Sequence, residues 1–264
     1  MFEIDIKKIH DNIDFIDRYI QRTLYPKIHD SLNNTFSTMF NAMNPQSLHL
    51  DREVITDKLF SIAPKAYYCR VWDSEGVKLT KPKIKIVGLA VKKSNTPKFF
   101  RDKTLHAIEL LLDFRFDDLK DYEDNFTKEI RNADVLDLSS NVAVNSISYE
   151  YDSSGKLYDY SKGKKLPAPI NSRGAIVYNN LLKSKGLDSM KLIEAGDKCK
   201  FIFLKKPNPT NSEVLTFLDK NIFKVLGLYD YIDFDTLIEK YYHQILRNVR
   251  DPLNLYKKLD FSEW

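Results

Sequence analysis

The chain has 264 residues, 43% hydrophobic and 30% charged, with 41 Lys or Arg against 37 Asp or Glu for a net charge of +4. That length allows one large domain or two smaller ones, and the composition argues for a packed core and against disorder. No apolar run approaches the ~20 residues of a membrane-spanning helix, the opening MFEIDIKKIHDN lacks the apolar core of a signal peptide, and the two cysteines, Cys69 and Cys199, fit free thiols in a reducing cytoplasm.

A helix is predicted over residues 11–43, because Ile13, Ile16, Ile20, Leu24, Ile28 and Leu32 recur at three- or four-residue spacing. Pro26 should kink or restart it, and NPQS at 44–47 should end it. Extended pieces follow at 48–51 and 54–62. Tyr67, Cys69 and Val71 then alternate with Tyr68, Arg70 and Trp72, the period of a strand. DSEG at 73–76 reads as a turn. The returning strand puts Lys83 and Lys85 on one face and Ile84 and Ile86 on the other, with Gly88 marking a bulge or the close approach of another backbone.

From SNTP at 94–97 the pattern becomes helical, with Pro97 suited to the first helical position. One helix is predicted to about Leu112 and a second, with a solvated acidic face, over about 117–131. Residues 134–170 read as loops and short strands. NSRGAIVYNNLLKSKG reads as a helix capped at Gly186, and KLIEAGDKCKFIFLKKPNP as a hairpin with a long buried strand. Helices near 212–226 and 234–249 precede a tail ending in YKKLDFSEW. The plan is α+β: a helix with antiparallel strands, then a mostly helical module with a small hairpin, meeting near residue 92.

Several chemistries lack their motifs. There is no Gly-rich phosphate loop, no CxxC pair and no nucleophile elbow. The five histidines are scattered and fit structural or surface roles. What stands out is basic charge interleaved with aromatics. Residues 65–101 carry ten Lys or Arg against Asp73 and Glu75, and residues 156–206 carry twelve against four acids. Two basic segments flanking an acidic helix favour a polyanion such as nucleic acid; solvated sheet faces would also carry lysines.

The run KAYYCRVWDSEGVKLTKPKIKIVGL…KKSNTP resembles the family B DNA polymerases of T-even-like phages. In those enzymes the palm ends in a Lys-x-x-Tyr hairpin, a Pro-Lys-x-Lys strand with a Gly, and a Thr-Pro start to the thumb. LHLDREVI at 48–55, INSRGAIVYNNLL at 170–182, GDKCKFIFLKKPNP and the final KLDFSEW follow in the same order as family segments. The family's Tyr-x-Asp-Thr-Asp motif, fingers helix and exonuclease acids have no counterpart in the sequence.

The resemblance implies the end of a palm over 1–91, a thumb over 92–254 and a sliding-clamp tail over 255–264. It implies the small chain of a split polymerase in the cytoplasm of an infected bacterium. Its partners would be primer–template DNA, a sliding clamp and a larger chain holding Mg2+ on its aspartates, with no membrane involved. Lys65 and Tyr67 would take the Lys-x-x-Tyr roles, with Pro64 and Ala66 where the phage enzymes have basic residues. Arg70, Lys83, Lys85 and Lys93 would hold the primer strand, and Arg173 the duplex further back. Glu53 would match an auxiliary carboxylate near the metals or form a sheet-edge salt bridge, and Leu259, Phe261 and Trp264 would reach the clamp. The alternatives are a non-catalytic phage DNA-binding or regulatory protein derived from a thumb, or an interaction protein that uses only its tail.

Overall fold

A computed structural model describes residues 9–39, 51–151, 153–154, 156–159 and 166–250. The fold is α+β as the sequence predicts, and the chain divides between Gly88 and Leu89 into two units.

The first unit opens with α1 (Ile9–Tyr19), a π-helical turn (Ile20–Leu24) and α2 (Tyr25–Met39). Pro26 has no N–H to donate and its ring crowds the preceding turn, so the helix widens just before it. The Tyr25 N–H reaches the Ile20 carbonyl, five residues back. Three antiparallel strands follow in the order β1 (Val54–Ala63), β2 (Ala66–Ser74) and β3 (Val77–Val87). Glu75 and Gly76 both have positive φ, the primed turn whose twist matches a two-residue hairpin. The Gly76 N–H donates to Asp73 Oδ1 at 3.1 Å. Helix α1 packs on β1 and β2, burying Ile13, and Arg52 ties them together. Its guanidinium lies 2.6 Å from Asp17 on α1 and 2.7 Å from the buried Asp73 on β2.

The second unit starts with a 3-10 turn (Ala90–Lys92), α3 (Lys98–Leu112) and α4 (Phe116–Glu129). Pro97 sits one residue before α3, at its N-cap. On α4, Leu119 and Phe126 face inward while Asp117, Asp118, Asp121 and Asp124 are exposed, the solvated acidic face expected. A short α5 (Val135–Leu138) leads to β4 (Ser140–Ala143). Strands β5 (Glu150–Tyr151), β6 (Leu157–Asp159) and β7 (Leu166–Pro167) form one small sheet. Helix α6 (Ile170–Lys185) ends on left-handed Gly186. Strands β8 (Lys198–Phe203) and β9 (Val214–Phe217) complete a second sheet in the order β4-β8-β9. After α7 (Asn221–Val225), the chain is helical from α8 (Phe234–Ile238) through a π turn (Glu239–His243) to residue 250. Asp233 caps α8, accepting from the Thr236 N–H at 3.0 Å. The core includes Phe100, Phe126, Phe217, Phe223 and Tyr242, with the Phe126 and Tyr242 rings 4.5 Å apart.

Two predicted elements are corrected. Residues 191–195 form no strand, because the Asn179 side chain takes both backbone groups of Ile193 at 2.8 Å and leaves no ladder there. The hairpin is instead β8–β9. The helix predicted over 212–226 is strand β9 followed by the short α7, since all four residues of VLTF are buried and paired to β8. Residues 40–50, with the predicted helix end and the strand at 48–50, lie outside the described residues.

Candidate nucleic-acid interface

Register fixes which basic residues of the first unit share a surface. Tyr67 lies opposite Val87, Cys69 opposite Lys85 and Val71 opposite Lys83. Directly paired residues project from one face, so Tyr67, Lys83 and Lys85 stand on the same side of β2 and β3. Arg70 lies opposite Ile84 on the other side. Its guanidinium grips Asp57, with Nε 3.0 Å from each carboxylate oxygen and a further contact from Nη2. Burial pushes the Asp57 carboxyl up, but the hydrogen bond and charge of Arg70 outweigh this and hold it below its ordinary value.

Counted strictly, the Lys-x-x-Tyr spacing from Lys65 ends on Tyr68. That side chain is fully buried, its ring stacked on Phe60 at 5.2 Å. Tyr67 is half-buried and stands with the lysines.

Lys65 occupies the tight turn between β1 and β2 with φ of +62°, and its side chain is exposed at the end of the sheet. The turn is held by the close approach the sequence expects at Gly88. A Cβ there would sit 2.3 Å from the Lys65 carbonyl oxygen, and the φ of +70° is itself a glycine conformation. Lys85 pairs with Glu53, whose hydrogen bond raises the lysine and keeps it charged. This pair is the sheet-edge salt bridge weighed for Glu53. Among the described residues no group of three or more His, Cys, Asp or Glu could hold a metal ion. The described residues therefore do not fit the carboxylate set that two-metal phosphoryl transfer requires.

In the second unit, Lys93 and Arg173 line different clefts. The Lys93 cleft, about 540 Å³, is lined also by Asn95, Lys240, Gln244, Arg247 and Asn248, and no carboxylate lines it. Residues 240, 244, 247 and 248 follow the three- and four-residue spacing of one helix face, a pattern legible in the sequence but not used in the prediction. Arg247 also pairs with Glu239, and Lys240 Nζ lies 4.6 Å from the centre of the Phe203 ring.

Arg173 shares a cleft of about 450 Å³ with Tyr151, Lys156, Tyr158 and Lys206. Its neighbour Gly174 explains the Arg-Gly pair, since a Cβ there would lie 2.6 Å from both the backbone N and Oγ1 of Thr216. Helix α6 can thus press its backbone on β9, while Thr216 Oγ1 donates to the Asn171 carbonyl at 2.7 Å. Leu259, Phe261 and Trp264 lie outside the described residues. No described helix is long and apolar enough to cross a membrane.

No family model matches the chain. It is 28% identical over 241 residues to the DNA-directed DNA polymerase of Escherichia phage RB69, covering 86% of this chain and 25% of that protein. It is 25% identical over 247 residues to the DNA-directed DNA polymerase of Enterobacteria phage T4, covering 89% of this chain and 26% of that protein. The chain therefore spans about a quarter of the length of these relatives. By sequence, it corresponds to a C-terminal portion of the T-even-like phage DNA polymerases.

Proposed function

We propose that this chain supplies the end of the palm and the thumb of a DNA polymerase, and that a separate, larger chain supplies the exonuclease, fingers and catalytic aspartates. The observation that carries the reading is the match along 86% of this chain to only 25% of a polymerase. In this reading the larger chain holds Mg2+ and performs the chemistry in the cytoplasm of an infected bacterium. This chain contributes position: Lys65, Tyr67, Lys83 and Lys85 hold the primer strand, with Lys93 and Arg173 on duplex further back. Lysine contacts to phosphate fix register without reading sequence, which suits an enzyme that must accept every template. The Lys85–Glu53 pair is exposed enough to trade the carboxylate for a phosphate at small cost.

Duplex binding tests the positioning role. The joint variant Lys83→Ala, Lys85→Ala should bind primer–template more weakly, and the slope of log affinity against log salt should fall by about 2. An unchanged slope would remove both lysines from the interface. Equal weakening of one specific sequence only would favour a regulatory DNA-binding protein instead.

The tail residues Leu259, Phe261 and Trp264 are proposed to bind a sliding clamp, raising processivity through effective concentration. Removing 259–264 should leave single-nucleotide insertion intact in the assembled enzyme and shorten products made with clamp present. Products of equal length would refute the clamp assignment.

A further inference from the structure

Helix α2 carries an apolar stripe that this chain does not cover. In α1 the stripe is Ile13, Ile16 and Ile20, and Ile13 is buried where α1 packs on β1 and β2. Beyond the π turn it is Tyr25, Ile28, Leu32, Phe36 and Met39, at steps of three or four residues. None of the fifteen residues of α2 is buried; Ile28 is 41% and Met39 77% exposed.

The two halves are joined by a step of five, from Ile20 to Tyr25. In an unbroken α-helix that step would swing the second half about 140° away from the first. The π turn Ile20–Leu24 accommodates the extra residue, as the Tyr25 N–H bond to the Ile20 carbonyl records. The stripe therefore continues on one side past the end of its own sheet. A helix of this length is marginal in water without a packed face, so the uncovered half implies a partner.

We propose that the Tyr25–Met39 stripe is the docking surface for the separate larger polymerase chain, with the π turn setting its register. The inference rests on the two-chain reading of the function. Two observations choose this occupant. The relatives are about four times as long as the matched segment, so a large protein body is to be accounted for beyond it. Tyr25–Met39 holds only Lys27 and Asp30 as charged residues, amid Ser, Thr and Asn. Such a surface resembles the charge-poor centre of a protein interface and is too sparsely basic for nucleic acid.

The probe is the chain from the same genome that bears the Asp-Thr-Asp motif, titrated against this chain in solution. The joint variant Ile28→Glu, Leu32→Glu changes no buried residue and should weaken association about 30-fold or more. Deleting Gln21 together with Pro26→Ala restores α-helical winding, turns the second half away, and should weaken association similarly while far-ultraviolet circular dichroism stays helical. Ser37→Glu, on the far side of α2, should change affinity less than about twofold. If the parent chain binds and the Ile28/Leu32 variant binds equally well, the docking surface is elsewhere. If the variant instead dissolves self-association of this chain and leaves binding of the larger chain intact, the occupant is a second copy and the proposal fails. If the parent chain does not bind at all, the two-chain reading itself is overturned, and the surface with it.

Discussion

Arg70 and Lys85 carry the same charge in adjacent strands, yet their surroundings separate them. Arg70 is held by Asp57, whose carboxylate is almost wholly enclosed, while the partner of Lys85 is largely exposed. The first pair stabilises the fold and the second leaves a cation available to DNA. Because Asp57 titrates below its ordinary value of 3.8, its pair stabilises the protein above about pH 4 and loses that contribution as pH falls through the folded-state value. Asp57→Asn should therefore cost about 1.5–3 kcal/mol at pH 7, and the gap to the parent should narrow below about pH 4, as read by denaturant unfolding at both pH values. A gap equally wide at pH 3 would mean that the pair is not what Asp57 contributes. The sequence shows the alternation that puts Tyr67, Lys83 and Lys85 together, because strand period is a local property. It does not show the Arg70–Asp57 pair, which depends on a register shift in β1 next to Asp57. Bulges of this kind leave no periodic trace.

Among the elements, α6 and β9 show how a glycine sets a spacing. The packing of α6 on β9 has room for a hydrogen at Gly174 and none for a methyl. Gly174→Ala should destabilise the second unit by about 1–3 kcal/mol through overpacking, visible as a lower denaturant midpoint, with Arg173 moved along with the helix. Full retention of the midpoint would mean that α6 has slack against β9. Long periodic helices such as α3 and α6 are legible in the sequence because many residues report the same period. VLTF at 214–217 is not, since a four-residue apolar run fits a buried strand or a buried helix equally. The π turn lies between: Pro26 announces an interruption, but only the structure shows a widened turn rather than a kink.

For the whole molecule, the ordered motifs and the matched relatives agree on what the chain corresponds to, and the basic face and clefts agree with a role in holding duplex DNA. The central claim is that this chain completes an enzyme whose chemistry lies on another polypeptide. Its most direct test is primer extension with Mg2+ by this chain alone, by the larger chain alone, and by the two mixed. The account predicts no extension by either alone and extension by the mixture saturating at one copy of each, with Lys65→Ala lowering the rate of the mixture. Extension by the larger chain alone, at a rate this chain does not change, would contradict it.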